Sequence, residues 1–400
     1  MSQSARLRTA FVLFLALAYA LGPFTIDPFT AAFPSIGTTF GVSNALLQFS
    51  LTGVTIGMGL GQLVAGPFSD SIGRKRPMIV AFALYAIGAF ASAAAPNMGV
   101  FIGMRALMAV GSSGAAVIAA GMVRDSAEGN AMLKLLSRIF WIQGLAPVLA
   151  PILGAQLIQV VDWRTVFQIF GVLGGIGVLW SFSMRETLAA ADRNGSVFGG
   201  MGKRFVHVLQ DRSYRGLLII SIATTVQLYT YLNLFPFVFY KVLHVDQSTY
   251  GLLAASVSFS WLLAFQASSY LAPRWGYLRT LTLAMILGAL GGVGAMTIGV
   301  ALPSVLVVMG LIYLGTFGFG LSTGPLQTLA MAPHGEEAGT AAALMGTLNF
   351  LITSLLSPVF TLLPTNSTLG IGGGYLSCYL IGLAATFLMV RPALRGASLR

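Results

Sequence analysis

The chain of 400 residues is 56% hydrophobic and only 8% charged, with 27 phenylalanines and a formal net charge of +11. Soluble globular domains carry roughly 25% charged residues, so this composition excludes one and points to a membrane protein. One cysteine, Cys378, excludes an internal disulfide or a cysteine metal cluster, and three histidines expected in loops (His207, His244, His334) leave little material for a catalytic triad or a histidine metal site.

Apolar runs of about 20 residues cross a ~30 Å bilayer core as helices. Twelve are expected, at 10–33, 43–65, 77–95, 99–122, 139–161, 165–184, 216–240, 248–272, 280–301, 305–331, 340–363 and 371–390. Arg6, Arg8 and the "AYA" of Ala18 to Ala20 have the look of a cleaved leader, but the first apolar run continues to Phe33, too long for one. With both termini cytoplasmic, 19 of the 22 basic residues fall in cytoplasmic segments, while Arg164 and Lys241 lie outside and Arg105 sits within the fourth span. The positive-inside rule selects that orientation. The charge is therefore a topology signal; nucleic-acid binding would need the basic residues on one exposed face, and they are spread over many loops.

Charge within the spans is the exception. Span one, "LALAYALGPFTIDPFTAAFP", contains Asp27, the only acid in any span. A carboxylate at that depth costs about 3 kcal/mol or more. After span two comes "GQLVAGPFSDSIGRKRP", where Gly66 suits close helix approach, Gly73 a tight turn, and Asp70 can accept from a helix N-terminus or a basic side chain. Span four, "MRALMAVGSSGAAV", sets Arg105 before a small-residue face of Gly111, Ser112, Gly114 and Ala115, with snorkelling to the outer surface as the bland alternative. Span five, "QGLAPVLAPILGAQL", loses two backbone hydrogen bonds at Pro147 and Pro151 and is expected to bend. The longest polar stretch, Arg185 to Arg215, divides the spans six and six and is expected to carry a short surface helix around Val197 to Leu209. "SDSIGRKRP" and "APRWGYLRT" align Gly73 with Gly276, which suggests two halves of one repeat.

The loop after span two closely resembles the signature of the major facilitator superfamily, with Gly66, Asp70, Gly73, Arg74, Lys75 and Arg76 at matching positions. "TIDPFTAAFPSI" and "MVRDSAEGNAMLKLLS" narrow the resemblance to the bicyclomycin/chloramphenicol-resistance (Bcr/CflA) branch of drug:proton antiporters. The sequence departs from the superfamily pattern at Met108 and Ala109, and Ala146, Ala150 and Ala155 replace glycines typical of antiporters in span five. The second half matches mainly in layout and in "GEEAGTAAALMG"; "DWRTVF" and "RET" mark topology. The resemblance implies an all-α integral membrane fold of twelve transmembrane helices, two six-helix bundles around a central cavity. The bundles would be 1–184 and 216–400, with 185–215 as a cytoplasmic linker.

It further implies a proton-coupled antiporter that exports small hydrophobic or amphiphilic drugs by alternating access. Such a protein works as a monomer in the cell membrane, with drug, protons and the bilayer as partners and neither cofactor nor nucleic acid. Asp27 matches the family's coupling acid and Arg105 the cavity arginine. Gly66, Asp70, Gly73 and Arg74 match a conformational latch that engages span eleven. Substrate contacts are expected from Asp27 and from Tyr19, Phe24, Ser112, Trp141, Gln143, Gln227, Tyr231, Asn233, Phe237, Trp261, Gln266 and Asn349. Aromatic walls with few neutral polar groups suit neutral or weakly cationic amphiphiles. The competing readings are a proton-coupled permease for a small metabolite, a ligand sensor that moves nothing, and a channel, which a single intramembrane acid does not favour.

Overall fold

Among the described residues, eleven helices are long and apolar enough to cross a membrane. The structure is a computed structural model that describes residues 3–126, 145–190 except 147 and 151, residue 193, and 201–394 except 361 and 365; within these, the side chains of 3–8, 27–31, 44–45, 201, 247–248, 335–338, 357–358 and 360 are not described. The chain forms two compact units, Met1–Gly199 and Gly200–Arg400. No strand occurs among the described residues.

The first unit holds α1 (Gln3–Ala31), α2 (Phe33–Phe40), α3 (Asn44–Ile72), α4 (Lys75–Ala93), α5 (Met98–Ser126), the shorter apolar α6 (Val148–Val160) and α7 (Trp163–Ser183). The second holds α8 (Met201–Gln210), α9 (Arg212–Phe237), α10 (Gln247–Trp275), α11 (Tyr277–Ala301), α12 (Val305–Met331), α13 (Ala338–Phe360), α14 (Leu369–Ala385) and α15 (Arg391–Leu394). Polar side chains fix several starts: Ser43, Asp162, Asp211 and Ser304 accept from the first-turn N–H groups of α3, α7, α9 and α12. Each satisfies a donor that the helix itself leaves open. The first span ends at Ala31, two residues before the expected boundary, and the chain restarts as α2 at Phe33 with Pro34 in its first turn, where the missing N–H costs nothing. His207 lies in α8 and His334 in a 3-10 turn (Ala332–Glu337), so two of the three histidines sit in helical turns rather than in loops. Residues 127–144, Pro147 and Pro151 lie outside the described residues, and with them the bend expected in span five.

Leucines such as Leu179, Leu306 and Leu355 are largely exposed, as lipid-facing side chains must be, while small residues let the helix backbones meet inside each unit. The two units repeat the same crossing. A Cβ on Gly88 of α4 would strike the Met104 carbonyl and Met108 nitrogen of α5; one on Gly291 of α11 would strike the Leu311 carbonyl and Gly315 nitrogen of α12. Likewise Gly111 of α5 abuts Ala81 and Tyr85, and Gly318 of α12 abuts Ala284 and Gly288. The close approach of α3 to α5 falls at Gly57 and Gly61, whose absent Cβ atoms leave room for the Ala106 and Val110 carbonyls. At Gly66 a Cβ would meet Val117 Cγ1 at an ordinary 3.5 Å, so the expectation that this glycine permits the close approach is corrected: at that turn the tight contact is made by Gly114 of α5, where a Cβ would meet that of Ala65 at 3.3 Å.

Candidate functional site

α5 carries Arg105 two turns from its start, and the residue is completely buried. Its Nη2 donates to the Thr25 carbonyl of α1 at 2.6 Å, and its Nη1 to the Ser50 hydroxyl of α3 at 3.3 Å. The Phe101 and Phe167 rings stand 5.9 and 5.8 Å from its Cζ, and the buried Tyr85 of α4 faces the same charge. Taking a guanidinium out of water costs several kcal/mol unless hydrogen bonds and ring faces replace its hydration. Here a short charge-assisted bond and two rings do so. Snorkelling is thereby corrected, because no part of Arg105 reaches the surface.

Thr25 lies two residues before Asp27. α1 runs through Asp27, but the Asp27 side chain lies outside the described residues, as do Trp141 and Gln143. Tyr19 and Phe24 are half-buried on α1, with the Phe24 ring 6.2 Å from that of Phe170. Ser112 is buried, and its hydroxyl donates to the Ala109 carbonyl of its own helix at 3.1 Å.

At the α3–α4 junction, Arg74 is 3% exposed and joins two acids. It pairs with Asp70 at 2.5 Å, while its Nε and Nη2 donate to the two Asp125 oxygens at 2.8 and 3.4 Å, and its Nη1 to Ser69 Oγ at 2.7 Å. Burial pulls the guanidinium pKa down, but the bonds and charges of Asp125 and Asp70 outweigh it and raise it on balance. Gly73 holds φ 99° and ψ 166°, a region essentially closed to other residues, and a Cβ there would strike the Glu186 carboxylate. That carboxylate accepts from the backbone nitrogens of Arg74 (2.7 Å) and Lys75 (3.2 Å), capping α4, and from those of Thr187 and Leu188. Partial burial pushes the Glu186 pKa up, yet these four donors prevail and lower it overall. Sequence reasoning missed Asp125 and Glu186 and read "RET" as a topology mark. The one available signal was an acid within each of two resembling motifs.

In the second unit the candidates fall into separate groups. Gln227 is buried beside Tyr379, whose hydroxyl lies within bonding distance of the Gly315 carbonyl and, at 3.2 Å, of Gln227. One hydroxyl proton cannot serve two acceptors, so the Gln227 amide group is best turned to donate to Tyr379 while Tyr379 donates to Gly315. Asn233 donates to the Tyr229 carbonyl at 2.7 Å, and Asn349 to the Ser221 hydroxyl at 2.7 Å. Tyr231 stacks near Phe235 (4.6 Å), and Phe237 lies under Lys241 (5.6 Å). Half-buried Trp261 packs on Phe319 (5.3 Å), and its buried Nε1–H finds no acceptor among the described residues. Gln266 is exposed and joins none of these groups.

The family model described as Major Facilitator Superfamily matches residues 13–358. The chain is 29% identical over 361 residues to the Bacillus subtilis (strain 168) protein named "Uncharacterized MFS-type transporter YdgK", covering 88% of each chain. It is 25% identical to the multidrug resistance protein MdtL of Klebsiella pneumoniae (strain 342), covering 96% of each. Among solved structures, a D-xylose–proton symporter superposes with a TM-score of 0.76 at 17% identity, covering 95% of this chain and 97% of that one. A bacterial homolog of the human lysosomal transporter Spinster gives 0.69 at 16% identity, with 98% and 96% covered. These two likenesses show the fold.

Proposed function

The chain belongs to the Major Facilitator Superfamily, as a multi-pass membrane transporter, and on that premise we propose that it exports small hydrophobic or amphiphilic drugs in exchange for protons. The observation that carries this reading is the fully buried Arg105 bonded to the Thr25 carbonyl, two residues from Asp27. In this reading the fixed cation held at Thr25 balances two states of the acid: ionised Asp27 is held by the charge, and protonated Asp27 is released from it. Drug and proton then exclude one another at the same acid. One acid carries one proton per cycle, and a proton-motive force of about 150 mV supplies ~3.4 kcal/mol, enough for a roughly 300-fold gradient of a neutral drug.

The multidrug resistance name of a relative that aligns over 96% of the chain supports a drug as substrate. The motifs resembling the bicyclomycin/chloramphenicol-resistance (Bcr/CflA) branch support an antibiotic among such drugs. In the first unit half-buried Phe24 and Tyr19 offer aromatic surface, and in the second half-buried Trp261 offers a ring and an N–H that has no acceptor among the described residues, groups of the kind such substrates use. The cluster of Asp70, Gly73 and Arg74 serves as the latch of one transport state. The concentration of basic residues in alternate loops supports a cell-membrane location with both termini cytoplasmic.

The test uses the purified protein in liposomes under an imposed pH gradient, recording proton release when chloramphenicol or another amphiphile is added. The wild type should release protons and Asp27→Asn should not. Equal exchange by the two overturns the mechanism.

A further inference from the structure

The second unit is basic at one end. α9, α11 and α13 begin where α10, α12 and α14 finish, and at that end Lys203, Arg204, Arg212, Arg215, Arg279 and Arg391 are all exposed. Among the described residues of the opposite end, Lys241 is the one Lys or Arg. α8 lies at the basic end, packed against α9, α13 and the 3-10 turn. Its sequence, MGKRFVHVLQ, has two faces: Phe205, Val208 and Leu209 form an apolar arc, and Lys203, Arg204 and His207 lie across from it. Val208 is fully buried against the unit, but Val206, at the edge of the same arc, is 57% exposed. The apolar arc therefore extends beyond what the protein covers.

Between residues 201 and 215, four cations (Lys203, Arg204, Arg212, Arg215) accompany one acid, Asp211, whose carboxylate is already engaged by the Ser213 nitrogen and hydroxyl as the cap of α9. Arg212 is tied by its Nη2 to the Leu388 carbonyl at 3.1 Å, near the far end of the span that finishes the chain. The cations thus gather at the end of the unit where these spans start and finish.

We propose that α8 and the first turn of α9 form a docking surface for anionic phospholipid headgroups, with Val206 entering the interface and the four cations meeting phosphates. An amphipathic basic helix lying in the headgroup plane is a stable arrangement because both its faces are then satisfied. The proposal needs a membrane-spanning chain and is independent of drug exchange.

The experiment places the full-length protein in nanodiscs, whose leaflets are alike, so membrane orientation does not enter. Val206→Cys carries a polarity-sensitive fluorophore; the native Cys378 is buried. Replacing about a quarter of the phosphatidylcholine with phosphatidylglycerol should shift emission to the blue, and about 0.5 M salt should reverse it. Adding Lys203→Gln and Arg204→Gln should raise the phosphatidylglycerol needed by about fivefold per cation, provided the variant elutes as a single species. Identical emission in the two lipid mixtures overturns the proposal, as does a response that survives salt and both substitutions. A shift produced by polyglutamate but not by phosphatidylglycerol reassigns the surface to an acidic protein and also overturns it.

Discussion

The two units share one helix crossing and differ in what they put at its centre. Because Gly88 meets Met104 and Met108 where Gly291 meets Leu311 and Gly315, Arg105 of α5 corresponds to Ile312 of α12. Both are buried, one a charge tied to α1 and α3, the other a hydrocarbon. The tyrosines have changed sides. In the first unit Tyr85 of α4 faces Gly174 of α7, whereas in the second Gly288 of α11 faces Tyr379 of α14. Each ring fills the same interhelical space, so packing is kept while the groups around the hydroxyl change: Arg105 in one unit, Gln227 and the Gly315 carbonyl in the other. The junction loops follow the same rule. Gly73 (φ 99°) and Gly276 (φ 95°) make the same turn, but Pro273 and Tyr277 stand where Asp70 and Arg74 do. Duplicated packing tolerates divergent chemistry, because backbone approach constrains size alone.

That asymmetry can be broken at its centre. Arg105→Ala should lower drug-driven proton exchange about tenfold or more, while Ile312→Ala should keep exchange within about threefold and lower stability by about 2 kcal/mol. Exchange assays and thermal unfolding in detergent check both, and equal functional loss would erase the distinction between the units. A smaller effect is expected at the paired turns. Gly276→Ala should cost about 1–3 kcal/mol for its backbone conformation, and Gly73→Ala a further 0.5–2 or so because its Cβ displaces the Glu186 cap. Equal losses would mean that the cap contributes nothing.

The smallest effect sharpens the charged junction by pH. Native contacts lower the Glu186 pKa below its ordinary 4.5, so its stabilisation is complete above about pH 4.5 and disappears as pH falls through the lowered native value. Glu186→Gln should therefore melt about 1–2 °C below the wild type at neutral pH, with the gap closing in acid. A gap that widens in acid would reverse the assigned sign.

The spans and the Gly73–Gly276 pairing were legible in the sequence, since each rests on local hydropathy or on one residue type. Arg105 stood out for the same reason: a charge in an apolar run is visible without knowing its neighbours. The partners were not legible. Asp125 lies 51 residues from Arg74 and Glu186 lies 112 from it, and no periodicity links such positions. Gly66 drew attention through its motif, whereas the helix crossing uses Gly57 and Gly61, which local sequence does not distinguish from other small residues in α3.

Sequence alone determined where this chain leaves water, because burying some twenty apolar side chains per span outweighs any local preference, and it determined which few charges had to be exceptions. Only the tertiary structure decided what those exceptions touch. A buried ion is stable through the particular oxygens within about 3 Å of it, and those are brought together by helix crossings that the linear order does not encode. Arg105 on the Thr25 carbonyl and Arg74 between Asp70 and Asp125 are decisions of that kind.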